Sequence, residues 1–385
     1  MTIEKTIPLF KVHKPEGIGE AIQKVWDSGM VSEGPVATKF EQEFGKFIKN
    51  ENVVLTNSGT SALDLAYACL NIGKGDEVIS SPMTCAATNE PLVHRGAKIV
   101  WADINPATGN IALDSVKRLV TDKTKAVVAV MWGGIPFDPS ILEFLQKRRI
   151  YLVIDAAHAL GAKWTEKKVL VGEDCFDNHG TITCFSFQAI KHLTTGDGGA
   201  VAFCPFNKDS EGPSWARRAR KLRWFGLSRE YEGSKWSQNI CEAGFKYHMN
   251  DTNATIGLLQ LPYLQDIIRK HKMNAAYFDM YINNPLIGKT KVNTLVSEPS
   301  WWLYTIFLNN SSDRRKFQTY LQENGIASDV VHVRNDQYTC FSMFKKDELE
   351  FVGLFDETHL CIPVGWWLTD EDREHIVSVV NSYKG

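Results

Sequence analysis

Lys191 stands in the stretch Thr183-Cys-Phe-Ser-Phe-Gln-Ala-Ile-Lys191-His-Leu-Thr-Thr-Gly-Asp-Gly-Gly-Ala200, between two apolar runs and just ahead of a glycine turn. Burial at such a place disfavours the ammonium form and frees the amine as a nucleophile, which suits Schiff-base chemistry. The plain alternative is a surface lysine beside a turn. Upstream lies Tyr151-Leu-Val-Ile-Asp155-Ala-Ala-His158, four residues that read as a buried parallel strand ending in a carboxylate. The carboxyl end of such a strand faces the crevice where α/β sheets place ligands. A carboxylate there can hold a proton on a pyridine ring nitrogen and make the ring an electron sink. It could equally cap the next helix. The third element is Val53-Val-Leu-Thr-Asn-Ser58-Gly59-Thr60-Ser61, a strand, a small-residue turn and the start of a helix. Helix N-termini of this composition offer free amides and a positive dipole end to a phosphate, with Ser and Thr hydroxyls beside them, although the same residues make an ordinary helix cap. Ser186 offers a further hydroxyl near Lys191. The chain has neither a Walker pattern nor a G-x-G-x-x-G, so triphosphates and dinucleotides are not indicated.

A phosphate cradle, a pyridine-nitrogen partner and a Schiff-base lysine, in that order, resemble the DegT/DnrJ/EryC1/StrS family of pyridoxal-phosphate-dependent sugar aminotransferases, fold type I. The similar stretches are Thr56-Asn-Ser-Gly-Thr-Ser-Ala-Leu63, Thr84-Cys-Ala-Ala-Thr-Asn89, Gly96-Ala-Lys-Ile-Val-Trp-Ala-Asp103, Asp155-Ala-Ala-His-Ala-Leu-Gly-Ala162, Ser186-Phe-Gln-Ala-Ile-Lys191 with Thr194-Thr-Gly-Asp-Gly-Gly-Ala200, Gly244-Phe-Lys-Tyr-His-Met-Asn-Asp251 and Cys361-Ile-Pro-Val-Gly365. The resemblance implies that Lys191 forms the internal aldimine and shuttles the proton, and that Asp155 pairs with the pyridinium nitrogen. It places His158 near the ring hydroxyl. Gly59, Thr60, Ser61 and Ser186 would surround the phosphate. Lys246 stands where many members have an Asn that reaches the neighbouring subunit's phosphate, so a homodimer with composite active sites is implied. Cys85 stands where the family often has an aromatic that stacks on the cofactor ring, which leaves the stacking partner open. Retention of Lys191, despite the adjacent His192, favours transamination over the dehydration of a His-bearing branch. The implied amino donor is L-glutamate and the acceptor a keto-sugar, nucleotide-linked. A cyclitol of the scyllo-inosose type is an alternative acceptor, and a non-catalytic, cofactor-binding regulatory protein on the same fold is an alternative of another class.

The composition fits this reading without adding to it. A chain of 385 residues with a formal net charge of −2 is not suited to nucleic acid or an acidic membrane as its main partner. Its eight cysteines include no C-x-x-C pair, so neither a zinc site nor a redox dithiol is suggested, and several read as buried thiols of a reducing, cytoplasmic setting. No signal core and no run near ~20 apolar residues is present, so no membrane span is expected.

Strand and helix signals alternate to about residue 205, which predicts an α/β fold with a mostly parallel seven-stranded sheet covered by helices. Strands are expected at 53–57, 77–80, 98–102, 126–131, 151–154, 182–187 and 199–204. Helices are expected at 16–28, 36–48, 60–72, 112–120, 138–148 and 212–223. A long helix follows at 254–282, where Pro262 is a point for a kink. The rest reads as a smaller α+β part, with strands at 302–309 and 330–332 and helices at 313–324 and 369–382. The division is therefore an N-terminal segment and large cofactor-binding domain at 1–253, then a linking helix and small domain at 254–385. Substrate contacts are placed at Trp301, His332 and Arg334, the last two in the polar stretch His332-Val-Arg-Asn-Asp336. The cluster Arg217, Arg218, Arg220, Lys221 and Arg223 reads as a basic helix face, solvated or turned to a diphosphate.

Overall fold

A computed structural model describes residues 6–166, 168–174, 180–206, 208–228, 231–234, 237–344 and 348–385; Cys175 and His179 lie outside them. The first strands are β1 (Val53–Thr56), β2 (Glu77–Ser80), β3 (Lys98–Trp101), β4 (Thr124–Val130), β5 (Tyr151–Asp155), the short β6 (Lys163–Trp164) and β7 (Val169–Leu170), β8 (Thr181–Ser186) and β9 (Gly199–Cys204). Seven of them form one sheet in the order β1-β9-β8-β5-β4-β2-β3. All run parallel except β9, which is antiparallel to both β1 and β8. The seven expected strands match these within two residues at either end.

The β-branched runs are continuous because both faces of the sheet are covered. Val53, Leu55, Leu152 and Ile154 enter one core, with Phe40 and Phe44 of α2 (Pro35–Ile48). Val54 and Val153 point the other way, into a second core with Leu63 and Ala66 of α3 (Gly59–Cys69). Around these lie α1 (Ile18–Asp27), α4 (Ala86–His94), α5 (Leu113–Leu119), α6 (Ser140–Gln146), α7 (Lys208–Leu222) and α8 (Asp251–Tyr281). Helix α4 carries no sequence expectation, since Pro91 interrupts its interior and its apolar residues take no one-sided pattern. Helix α8 runs through Pro262 as one element. At its start the buried Asp251 accepts hydrogen bonds from the backbone N–H of Gly34 (2.7 Å), Ala37 (2.9 Å) and Val36 (3.2 Å). One carboxylate thus caps α2 and ties it to α8.

A third core gathers around β12 (Tyr304–Phe307), flanked by β10 (Gly288–Lys289) and β13 (His359–Ile362), with α9 (Ser311–Glu323) and α11 (Asp370–Ser382). Strand β11 (Ser297–Glu298) joins β6 and β7 instead, and α10 (Glu350–Thr358) leads into β13. The strand expected at 330–332 is corrected here. That stretch makes no ladder; one isolated bridge links Asp329 to Cys361 on the outer edge of β13, and the left-handed backbone at Val331, φ 60, ends the extended run there.

Part of the basic face of α7 is drawn inward, while Arg217 and Lys221 stay exposed. Arg223 is buried and ion-paired to Glu33 and Glu41, Arg220 also meets Glu41 at 2.9 Å, and Arg218 pairs with Glu242. These three guanidiniums hold the fold together and are not free for a diphosphate. Among the described residues no helix is long and apolar enough to cross a membrane.

Candidate active site

A cleft of about 420 Å³ opens at the carboxyl ends of the parallel strands. Asp155 comes from the end of β5 and Ser186 from the end of β8. Ser58, Gly59 and Thr60 come from the turn after β1, and Thr84 and Cys85 from the turn after β2. Lys191 enters from the β8–β9 connection. His332 and Trp302 close the cleft from the C-terminal part, and Leu9 and Phe10 from the N-terminal segment.

The amine of Lys191 is the central group. Burial brings it down to about 7, against a smaller upward pull from Asp155 and Cys85, so a large share is unprotonated at neutral pH. Asp155 is 4% exposed, and burial raises its carboxyl above the ordinary value. Two donors moderate this. The Thr88 hydroxyl donates to Oδ2 at 2.7 Å and the Ala157 amide to Oδ1 at 3.1 Å. Each carboxylate oxygen keeps a lone pair for one more donor. His158 is held well below its usual value, first by burial and then by Lys191, and is a neutral imidazole. Its Nε2 lies 3.4 Å from Nε2 of His332, which burial pushes down to about 3. The Nδ1 of His158 is buried and has no partner. A buried polar atom left unmet costs about 1–3 kcal/mol, so this nitrogen calls for a ligand.

The turn after β1 is shaped for an anion. The first amides of a helix have no partner inside it. In α3 the Ser58 hydroxyl caps the amide of Ser61 at 3.0 Å, while Gly59 and Thr60 line the cleft. Ser61 itself turns away, its hydroxyl donating to Asn57 Oδ1 at 2.6 Å, and it does not line the cleft. Gly59 is required by space: a Cβ there would lie 2.8 Å from Cβ of Ser186. We expect Gly59→Ala to push Ser186 out of place, destabilise the chain by about 1–3 kcal/mol and weaken pyridoxal phosphate binding. Urea unfolding and a fluorescence titration with the cofactor check this; unchanged affinity would mean that the turn does not hold the phosphate.

Other expected residues fall elsewhere. Trp301 is buried in the third core, 5.6 Å from Tyr304, and its neighbour Trp302 lines the cleft instead. Arg334 makes a two-pronged pair with Asp336 at 2.8 and 2.7 Å and is outside the lining. Lys246 is exposed, with Nζ 4.0 Å from the centre of the Trp224 ring, away from the cleft of its own chain. Its carbonyl accepts from Asn57 Nδ2 at 3.1 Å, so its backbone abuts the anion turn. Residues that sequence reading missed include Thr88 and the aromatic pair Phe10 and Trp302. Asn335 is also new: fully buried, it donates from Nδ2 to the Thr84 carbonyl at 2.7 Å and locks the His332 segment onto the turn after β2.

An amine-bearing lysine with a low pKa, a carboxylate with no ion pair among the described residues, an unmet imidazole nitrogen and a glycine cradle fit pyridoxal phosphate. Comparison with known proteins agrees with this fit. Residues 14–381 match the DegT/DnrJ/EryC1/StrS aminotransferase family. The chain belongs to that family. It is a pyridoxal-phosphate-dependent aminotransferase of the sugar aminotransferase group. The spore coat polysaccharide biosynthesis protein SpsC of Bacillus subtilis is 36% identical, over 94% of this chain and 93% of SpsC. Among solved structures, AtS13 from Actinomadura melliaura superposes with a TM-score of 0.90 at 33% identity, over 99% of this chain and 100% of AtS13. The sugar aminotransferase CalS13 from Micromonospora echinospora superposes with a TM-score of 0.88 at 32% identity, over 98% and 99%.

Proposed function

We propose that this aminotransferase moves the amino group of L-glutamate to a nucleotide-linked keto-sugar, and that it works as a homodimer whose two clefts each draw on both subunits. The observation that carries the reading is the half-buried Lys191 amine, brought to about 7 in a cleft whose other wall is Asp155. The sugar-directed relatives support the acceptor class.

Pyridoxal phosphate, when bound, supplies an electron sink and carries the amino group from one substrate to the other. The chain does the rest. Gly59, Thr60 and Ser186 receive the phosphate. Asp155 holds a proton on the ring nitrogen. The Lys191 amine is the attachment point. Once displaced, its Nζ takes the proton from the donor's α-carbon, and in the second half of the cycle it delivers a proton to the former ketone carbon. A base near the working pH is suited to both transfers. His158 and His332, neutral by burial, act as hydrogen-bonding groups and not as charges. Leu9, Phe10, Ile190, Val331 and Trp302 keep water from the reacting atoms.

The direct test supplies L-glutamate and a panel of nucleotide-linked keto-sugars, and follows 2-oxoglutarate and the mass of the sugar product. Amination of a cyclitol ketone alone would reject the sugar reading, and no 2-oxoglutarate with any acceptor would reject the donor. The shared site is tested with hybrid dimers of Lys191→Ala and Lys246→Ala subunits. If Lys246 serves the partner's cleft, both lesions fall in one cleft and the other is intact, so each hybrid should recover up to half of the wild-type activity. Hybrids shown to form with no recovery above the two parent variants would place Lys246 in its own subunit's site or outside any site.

A further inference from the structure

The Lys191 amine rests on a side chain that no motif announces. Trp302 Nε1 donates to the carbonyl of Ile190 at 2.8 Å, across 112 positions of sequence, and so grips the residue that precedes Lys191. The Nζ of Lys191 lies 3.5 Å from the centre of the same indole. Trp302 is 2% exposed, stacked on His158 at 3.8 Å and on Phe10 at 5.1 Å, so it cannot turn aside without breaking both stacks.

We propose that Trp302 is the positioning residue for Lys191: its N–H fixes the loop that carries the amine, and its ring face holds the protonated form in place. The face of an indole attracts an ammonium and does little for a neutral amine, and the attraction grows when water is excluded. Trp302 therefore works against burial, which outweighs the pull of Asp155 and Cys85 and brings Lys191 to about 7. The pH at which the lysine becomes a free base is set jointly by the two.

Other groups around the amine are the carboxylates Asp155, Asp197 and Asp329, the thiol of Cys85, and the imidazoles of His158, His192 and His332. Asp155 and Cys85 favour the cation. The three imidazoles are kept neutral by burial and add no fixed charge. A change confined to the electrons of the indole adds or removes no charge among these groups.

That separation defines the experiment. Tryptophans bearing increasing numbers of fluorines are placed at position 302 by nonsense suppression. They keep the shape and the N–H and lose ring-face potential step by step. The full-length chain, freed of cofactor, is treated with cyanate across a pH series, and carbamylation of the Lys191 peptide is followed by mass spectrometry, with the other lysines as internal controls. The midpoint of the Lys191 profile should fall stepwise with fluorination. Trp302→Leu should lower it by roughly half a pH unit or more, and Trp302→Phe, which restores a face, should recover part of the fall. A midpoint that stays constant or rises across the fluorinated series overturns the proposal, and the series remains readable if Trp302→Leu does not fold. The inference takes Lys191 as the reactive amine of the proposed reaction, yet the labelling turns over no substrate. A flat series leaves that reaction standing, and a chain that aminates no sugar leaves the series standing.

Discussion

Lys191→Ala is expected to lower transamination by at least about 10²–10⁴-fold, the range that a single positioned proton carrier contributes, and further because the attachment point is also lost. The wild-type enzyme should be yellow, and borohydride should fix the cofactor to one peptide, the one that contains Lys191. Truncation removes a half-buried chain at the edge of a cleft, so circular dichroism and unfolding should change little. Attachment to a different lysine would remove the basis for the mechanism proposed above. Unimpaired turnover in the Ala variant would do the same.

Asp155→Asn keeps the shape and most hydrogen bonds and removes the charge. Loss of a charge-assisted bond of this type costs about 1.5–3 kcal/mol, so cofactor affinity should weaken roughly tenfold to a hundredfold. Turnover should fall by more, because a neutral amide cannot keep the ring nitrogen protonated. Stability against pH gives a second readout. Burial raises the Asp155 carboxyl, with the Thr88 hydroxyl and the Ala157 amide pulling the other way. A carboxyl raised in the folded state binds its proton more tightly there than in the unfolded chain. Its contribution is therefore present below the unfolded value and is lost as pH rises through the folded value. Cofactor-free enzyme should lose this increment on going to neutral pH, bound cofactor should restore it through its cationic nitrogen, and the Asn variant should show neither effect. Near-normal turnover in Asp155→Asn would reduce the residue to a structural one at the end of β5.

The parts of this molecule that were legible in the sequence are those whose signal is local. Strands β1 to β5, β8 and β9 are short continuous apolar runs because helices cover both faces of the sheet, and such runs can be read without knowing the partners. Lys191, Asp155, Gly59 and Thr60 follow such strands directly, so their placement came with them. Residues whose place depends on distant chain were not legible. Trp301 has φ 54, and this left-handed residue before β12 decides that Trp302 and not Trp301 meets the cleft. Two adjacent tryptophans carry no hint of that choice. Asn335 and Thr88 act through buried hydrogen bonds to other elements, and a lone polar residue in sequence does not name its partner. The stretch 330–332 stops short of a strand because Val331 takes a left-handed backbone, φ 60, just beyond the one bridge from Asp329 to β13. An isolated apolar triplet gives no hint of that backbone turn.

Strand β9, the one antiparallel member of the seven-stranded sheet, bears on the order in which the cleft is assembled. Ser186 and Gly199 are register partners, so residues 187–198, with Lys191 among them, form the closed end of one hairpin. Closing such a loop has a low entropic cost and a small sequence separation, the circumstances under which contacts form early. Trp302 reaches the same loop across 112 positions, one of the long closures that are slow to form. The nucleophile is therefore seated by local pairing, while its dry surroundings arrive with the C-terminal third of the chain. Until that third has docked, the amine sits on its hairpin in water as an ordinary protonated lysine, and the chain acquires its reactivity only with its last long-range contacts.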